Sequence, residues 1–156
     1  MAHTMKLRTP VQEHRKATPV VDHIWNISHG VGSPQRERNG HTDVELVQRL
    51  IKMGGASPRE LPFELWLPIR PSGRVDSVTQ LAVRRLESSN ELSHGDHLRV
   101  SPARRGQDSY AKGVGQWQYF IMTLNLRAWN RNYEQWHELP RACSAALRHE
   151  LKRPAH

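Results

Sequence analysis

Histidine is the residue type here with the widest chemical range, and the chain has ten. Only His94 and His97 lie close together, in the run SHGDH with Asp96 between them. Zinc needs three or four ligands in a fixed tetrahedral arrangement. Two imidazoles on a loop fall short of that set, and His137 or His149 would have to join them from elsewhere. Solvated loop histidines and no bound metal are therefore expected. The helical HExxH zinc motif is missing, because His149-Glu150 runs on into Leu151, Lys152 and Arg153.

Nucleophiles and phosphate cradles are equally sparse. The single cysteine, Cys143, can form neither an internal disulfide nor a cysteine-based zinc site. It falls on the apolar stripe of a C-terminal helix, where a thiol is ordinarily inert packing. No GxSxG elbow occurs, and GVGQW at 113–117 lacks the Lys-Ser/Thr pair of a phosphate loop. No spacing places two carboxylates across a cleft. The expectation is a protein that is not an enzyme and needs no cofactor.

Aromatic residues offer binding chemistry instead. Trp117, Tyr119, Trp129, Tyr133 and Trp136 crowd into one stretch. A pyranose stacks its C–H side on an exposed π face, and helical spacing turns Tyr119 and Arg127 away from the apolar stripe. The plainer account is that the tryptophans join helices into one core. Exposed aromatics beside arginine also suit single-stranded nucleic acid, but no recognised nucleic-acid motif is present, so DNA or RNA is not the expected partner.

These residues must be positioned by 156 residues of which 37% are hydrophobic, with a mean hydropathy of -0.73. That length favours one domain, with a compact centre and polar trimmings. The net charge is +8 and the isoelectric point about 10.4, a balance that suits an anionic partner. The charge is spread out, and its densest spots are the pairs Arg84-Arg85, Arg104-Arg105 and Lys152-Arg153. The start of the chain lacks the apolar segment of a signal peptide, and no stretch approaches a membrane span. A cytoplasmic protein, or one exported without such a signal, is expected, with no membrane insertion.

Periodicity divides the chain. Residues 1–18 read as a flexible basic arm, and 19–156 as a single domain. Residues 19–31 are β-prone, with Trp25 and Ile27 on one face. A helix is predicted over 43–53, with Val44, Val47 and Ile51 on one side and Leu50 beside them. Thr42 and Glu45 form a capping box, and Gly54-Gly55 a stop. The stretch 56–73 alternates Phe63, Leu65, Leu67 and Ile69 between prolines, which predicts an edge strand or extended loop. A second helix is predicted over 77–88, its stripe being Val78, Leu81, Ala82 and Leu86. Residues 89–115 read as loop. A third helix follows over 116–130 and a fourth over 139–152, with Pro140 near its first position and a stripe of Cys143, Ala146, Leu147 and Leu151. Gly73 permits a tight turn, Asp76 or Ser77 can cap the second helix, and Thr79 can bond a carbonyl of the preceding turn.

The order of these elements resembles the peptidoglycan-binding-like domain family over about residues 40–102. That family opens with a helix of the form DVxxLQxxL. Asp43, Val44, Val47 and Gln48 match it, with Leu50-Ile51 one residue out of register. Its signature DGxFGxxTxxAVxxFQ is echoed without a gap. Ser72-Gly73 stands at the DG, Val75 at the aromatic residue, Asp76 at the second glycine, Thr79 at the threonine, Ala82-Val83 at the AV pair and Leu86-Glu87 at the FQ. A later DGxVxP element is echoed by Arg99-Val100-Ser101-Pro102, with His97-Leu98 in place of its DG. The lost aspartate at 72, and Asp76 and Glu87 in place of Gly and Gln, depart from the pattern.

The resemblance implies a mainly α fold: a three-helix core over about 40–131, an added C-terminal helix, and one or two short strands. It implies a noncatalytic binding module for bacterial cell-wall glycan or glycopeptide. The expected ligand surface is the groove between the second helix and the loop before it, completed by the 89–115 segment. Gly73, Arg74, Asp76, Arg99, Arg104 and Tyr119 would form it, with Arg74 and Arg104 as forked donors to carboxylate oxygens. The alternative is a protein-interaction adaptor, such as an accessory component of a bacterial secretion or phage-like apparatus.

Overall fold

A computed structural model of the chain describes residues 1–11, 21–34, 37–89, 99–103, 110–111, 116–117 and 120–152. The described residues form six strands and seven helices. In chain order these are β1 (His3–Val11), β2 (Val21–Asn26), β3 (Val31–Gly32), α1 (His41–Gly54), α2 (Phe63–Trp66), α3 (Ser77–Ser88), β4 (Arg99–Val100), β5 (Tyr110–Ala111), β6 (Gln116–Trp117), α4 (Phe120–Arg131), α5 (Tyr133–His137), α6 (Leu139–Ala142) and α7 (Ala145–Leu151). The strands pair antiparallel as β1–β2, β3–β4 and β5–β6. The fold is thus mainly α, with more strand than the one or two short pieces expected. No helix among the described residues is long and apolar enough to cross a membrane.

The helix α1 is the hub of the core. It packs most extensively on α4 and also touches α5, α7 and β3. Burial runs around it rather than along one stripe: Val44, Leu46, Val47, Leu50 and Ile51 are all fully buried, and so are the polar Asp43 and Gln48. A buried polar side chain must find partners or cost the helix its stability. Each one here ties down a different segment. The Asp43 carboxylate accepts from the backbone amides of Ser28 (3.2 Å) and His29 (3.3 Å), just after β2. Glu45 accepts from the Ser144 amide (2.9 Å) and hydroxyl (2.5 Å) at the start of α7, and from Arg49 Nε (2.8 Å). Gln48 holds the turn before α3, described below. The predicted capping box therefore does not form: Gly40 is the N-cap, without a side-chain bond, and Glu45 is drawn into tertiary contacts instead. The predicted stop holds, since Gly55 sits at φ 75° and its amide bonds the Lys52 carbonyl.

Glu45 gives the fold an acid-sensitive joint. Burial works to raise its pKa, but the hydrogen bonds from Ser144 and Arg49 outweigh it, and the net direction is down. A carboxyl whose folded pKa is depressed stabilises the protein above its unfolded pKa, and that contribution is lost as pH falls through the folded value. The melting-temperature gap between wild type and Glu45→Gln is expected to be widest near neutrality and to shrink below the ordinary glutamate range. A constant gap in calorimetric scans across that range would contradict this.

Several sequence expectations are corrected. The proposed flexible arm is in part a strand: β1 pairs with β2 through Thr4↔Trp25 and Met5↔Ile24, and Ala2, Met5 and Leu7 join the core. Two apolar residues at period two are enough once a partner strand lies beside them. Residues 12–18 lie outside the described ones. In β2, Ile24, Trp25 and Asn26 are all buried, so the strand is covered on both sides rather than one. The stretch 56–73 contains α2 rather than a strand. Pro62 caps that single turn, and the Trp66 indole donates to the last-turn Lys52 carbonyl of α1 (3.0 Å). Phe63 and Leu67 are left exposed.

In α3 the stripe is rotated. Thr79, Ala82, Val83 and Leu86 are buried, Val78 is partly so, and Leu81 is 50% exposed. The C-terminal helix breaks into α6 and α7, because Cys143 is extended and Ser144 caps α7 by accepting from the Leu147 amide. A separate α5 precedes them, capped by Asn132. Ala146 lies outside the expected stripe, exposed, whereas Cys143, Leu147 and Leu151 are buried.

The tryptophans Trp25, Trp129 and Trp136 are core residues, as the plainer account has it. Trp136 stacks on His23, tilts against Trp25 and Tyr133 and meets Trp129 edge to face, at centroid distances of 5.2, 5.7, 5.9 and 5.5 Å. Cys143 is packed in the core as well. Burial pushes its thiol up to about 11, and its Sγ donates to the Leu139 carbonyl at 3.1 Å. The folded protein is expected to resist Ellman's reagent until denaturant is added; rapid labelling of the native state would overturn this.

Candidate functional site

Four positions of the motif resemblance, Gln48, Gly73, Asp76 and Thr79, meet in one hydrogen-bonded node. Gln48, on α1, projects its amide into the turn that leads to α3. Its Oε1 accepts from the Gly73 amide (3.0 Å), and its Nε2 donates to the Arg74 carbonyl (2.9 Å) and to Thr79 Oγ1 (3.0 Å). Thr79 in turn donates its hydroxyl to Asp76 Oδ1 (2.6 Å), the oxygen that also caps α3 by accepting from the Thr79 amide (2.7 Å). The expected bond from Thr79 to a backbone carbonyl is replaced by these two side-chain contacts.

The Gln48 amide, the Gly73 amide, the Thr79 hydroxyl and Asp76 Oδ1 are thereby all engaged. Gly73 sits at φ 75°, where a side chain is strained. A Cβ there would lie 2.3 Å from His41 Cε1. The absent side chain therefore leaves no open space for a ligand, because the His41 ring at the start of α1 fills it. Asp76 is spent as a cap. The turn presents Ser72, Arg74 and Asp76 to solvent.

The other expected ligand residues are not gathered at this turn. Arg99, on β4, is exposed and pairs with Glu37 at 3.5 Å. Arg104 and Tyr119 lie outside the described residues, as do His94 and His97. Among the described residues, no group of three His, Cys, Asp or Glu side chains is arranged to hold a metal ion.

Two hollows lie elsewhere. A cavity of about 520 Å3 opens between the β1–β2 hairpin and the C-terminal turns, lined by Thr4, Trp25, Arg148, Leu151 and Lys152 among others. A smaller one of about 240 Å3 is lined by Arg49, Lys52, Met53 and Pro71, and by Gln135, Leu139 and Ala142. Here burial and the neighbouring Arg70 push the Lys52 ammonium below its ordinary pKa. Its Nζ donates to the Trp66 and Leu67 carbonyls (3.1 and 2.9 Å) and lies 3.8 Å from the centre of the Trp66 ring. The sequence reading missed both hollows. The only signals were the Lys152-Arg153 pair and Trp25, which the chain holds far apart.

Compared with known proteins, the chain matches no family model, no curated protein and no solved structure.

Proposed function

We propose that this chain is a noncatalytic binding module for bacterial cell-wall glycan or glycopeptide, built on a three-helix core similar to peptidoglycan-binding-like domains. The observation that carries the reading is the Gln48 node. The helix-one glutamine, the turn glycine and the α3 threonine are among the residues the resemblance rests on, and the glutamine is hydrogen-bonded to each of the other two at 3.0 Å. Two motif positions that lie 25 and 31 residues from Gln48 are thus tied to it as one structural unit. The strong positive charge supports an anionic polymer as partner.

A second reading has its own support. Phe63 on α2, Leu67 just after it and Leu81 on the neighbouring α3 are each about half exposed. Exposed apolar side chains that gather into a patch mark interaction sites, protein contacts among them. They favour the adaptor reading, as an accessory part of a secretion or phage-like apparatus. Cosedimentation with purified sacculi, run beside capture from native lysate, separates the two. Retention by sacculi, reversed by added soluble wall fragments, is the expected result. Recovery of a stoichiometric protein partner with no sacculus retention would replace it with the adaptor.

A further inference from the structure

The larger cavity has the composition of a receptor for a small amphiphilic acid. Its walls carry the apolar surfaces of Trp25, Pro140 and Leu151, and its rim three cationic side chains, Arg141, Arg148 and Lys152, against one carboxylate, Glu138. Glu138 is already paired with Arg141, Oε2 to Nε at 2.6 Å. Arg148 is held in place before any ligand arrives. Its Nε donates to the Pro140 carbonyl (3.0 Å), and its Nη2 donates to those of Arg141 (3.2 Å) and Cys143 (3.1 Å). That leaves Nη1 without a partner among the described residues. A fixed guanidinium forms hydrogen bonds to a carboxylate at little further ordering cost. The floor is fixed as well: the Trp25 indole donates to the Trp136 carbonyl at 2.9 Å, and Thr4 Oγ1 donates to the Leu151 carbonyl at 2.5 Å. A volume of about 520 Å3 falls within the range of small-molecule sites, roughly 300–1,000 Å3.

We infer that this cavity, rather than the Gly73 turn, seats the carboxylate-bearing peptide stem of a wall glycopeptide. A stem carboxylate pairs with Arg148 and Lys152, and an adjoining apolar side chain lies against Trp25, Pro140 and Leu151. The inference rests on the glycopeptide reading of the function.

The test uses the full chain, isotope-labelled, titrated with a soluble disaccharide-peptide, alongside the same compound with its carboxyls amidated. The expected result is shifts at the Trp25 indole N–H, Thr4 and Leu151. Binding should be about tenfold or more weaker for the amidated compound and for Lys152→Glu, since a charge-assisted bond is lost in each. The amidated arm needs no variant, so the result does not depend on Lys152→Glu folding. Equal binding of the two compounds would overturn carboxylate recognition. Shifts confined to residues 72–76 would overturn the site and leave the glycopeptide reading standing. Silent spectra together with no sacculus retention would overturn both.

Discussion

Asn125→Leu is expected to destabilise the protein by about 3–6 kcal/mol, a large fraction of the roughly 5–15 kcal/mol that holds an ordinary domain folded. Asn125 is fully buried in the middle of α4, and its amide makes four hydrogen bonds. Oδ1 accepts from the Trp25 amide (3.0 Å) and from the Trp136 indole (2.9 Å), and Nδ2 donates to the carbonyls of Trp25 (2.8 Å) and Ile121 (2.9 Å). One side chain thus joins β2, α4 and α5. Leucine matches the volume but orphans the Trp25 amide and the Trp136 indole in a dry core. A buried donor left unpaired costs about 1–3 kcal/mol. Trp136→Phe removes the indole donor together with part of a fully buried ring, but it leaves Asn125 bonded to β2 and orphans no donor, so it should cost less. Urea unfolding of the two variants checks the order. A midpoint for Asn125→Leu within error of wild type would show that the bonds contribute nothing net.

The second large effect is expected at Gln48. Gln48→Leu removes three hydrogen bonds at once and should cost about 2–4 kcal/mol. It also carries a local signature. The Gly73 amide, whose partner is Gln48 Oε1, should lose its protection from hydrogen exchange while amides in α4 keep theirs relative to global stability.

Gln48→Glu tests the same node through pH. Ionised, the new carboxylate can still accept from the Gly73 amide but would face the Arg74 carbonyl without a donor. Its folded pKa should therefore rise. A carboxyl with a raised folded pKa is best tolerated in acid, and its penalty grows as pH climbs through the unfolded value. The variant should come closest to wild type at low pH. A pH-independent difference would mean that the Gln48 amide donor is dispensable.

Those two residues illustrate why parts of this fold were hard to read from the chain alone. Both are polar residues in helices, and helical periodicity assigns such positions to the solvent face. The pattern of α1 was right in period and wrong in width: Val44, Val47 and Ile51 do line one side, but Asp43, Glu45 and Gln48 are buried as well. Periodicity records where apolar side chains recur. It carries no record of a polar side chain that finds its partners more than ten residues away. The α3 stripe failed for a related reason: Leu81 has the right character for the core, but α2 and β4 lie beside other faces of that helix.

Capping and turn chemistry, by contrast, are local. Gly55 as the stop of α1, Gly73 in its turn and Asp76 at the start of α3 all follow from backbone sterics and orphaned amides within a few residues. They could be read without neighbours. The box at Thr42 and Glu45 met the same local criteria, but Glu45 instead bonds Ser144, a residue 99 positions away.

The sequence by itself determined the mainly helical character, the extents of α1 and α3, the stops between them, the strand at β2 and the strong positive charge. Each of these rests on contacts or propensities spanning a few residues. The tertiary structure alone decided that the chain's start is a strand, that α1 buries polar as well as apolar side chains, and that the C-terminal helix breaks at Cys143 and Ser144. It also decided that Thr4, Trp25, Arg148 and Lys152 surround one cavity. Those outcomes depend on partners brought together by closure of long loops, and no spacing within the chain encodes which buried amide or carboxylate will meet which side chain.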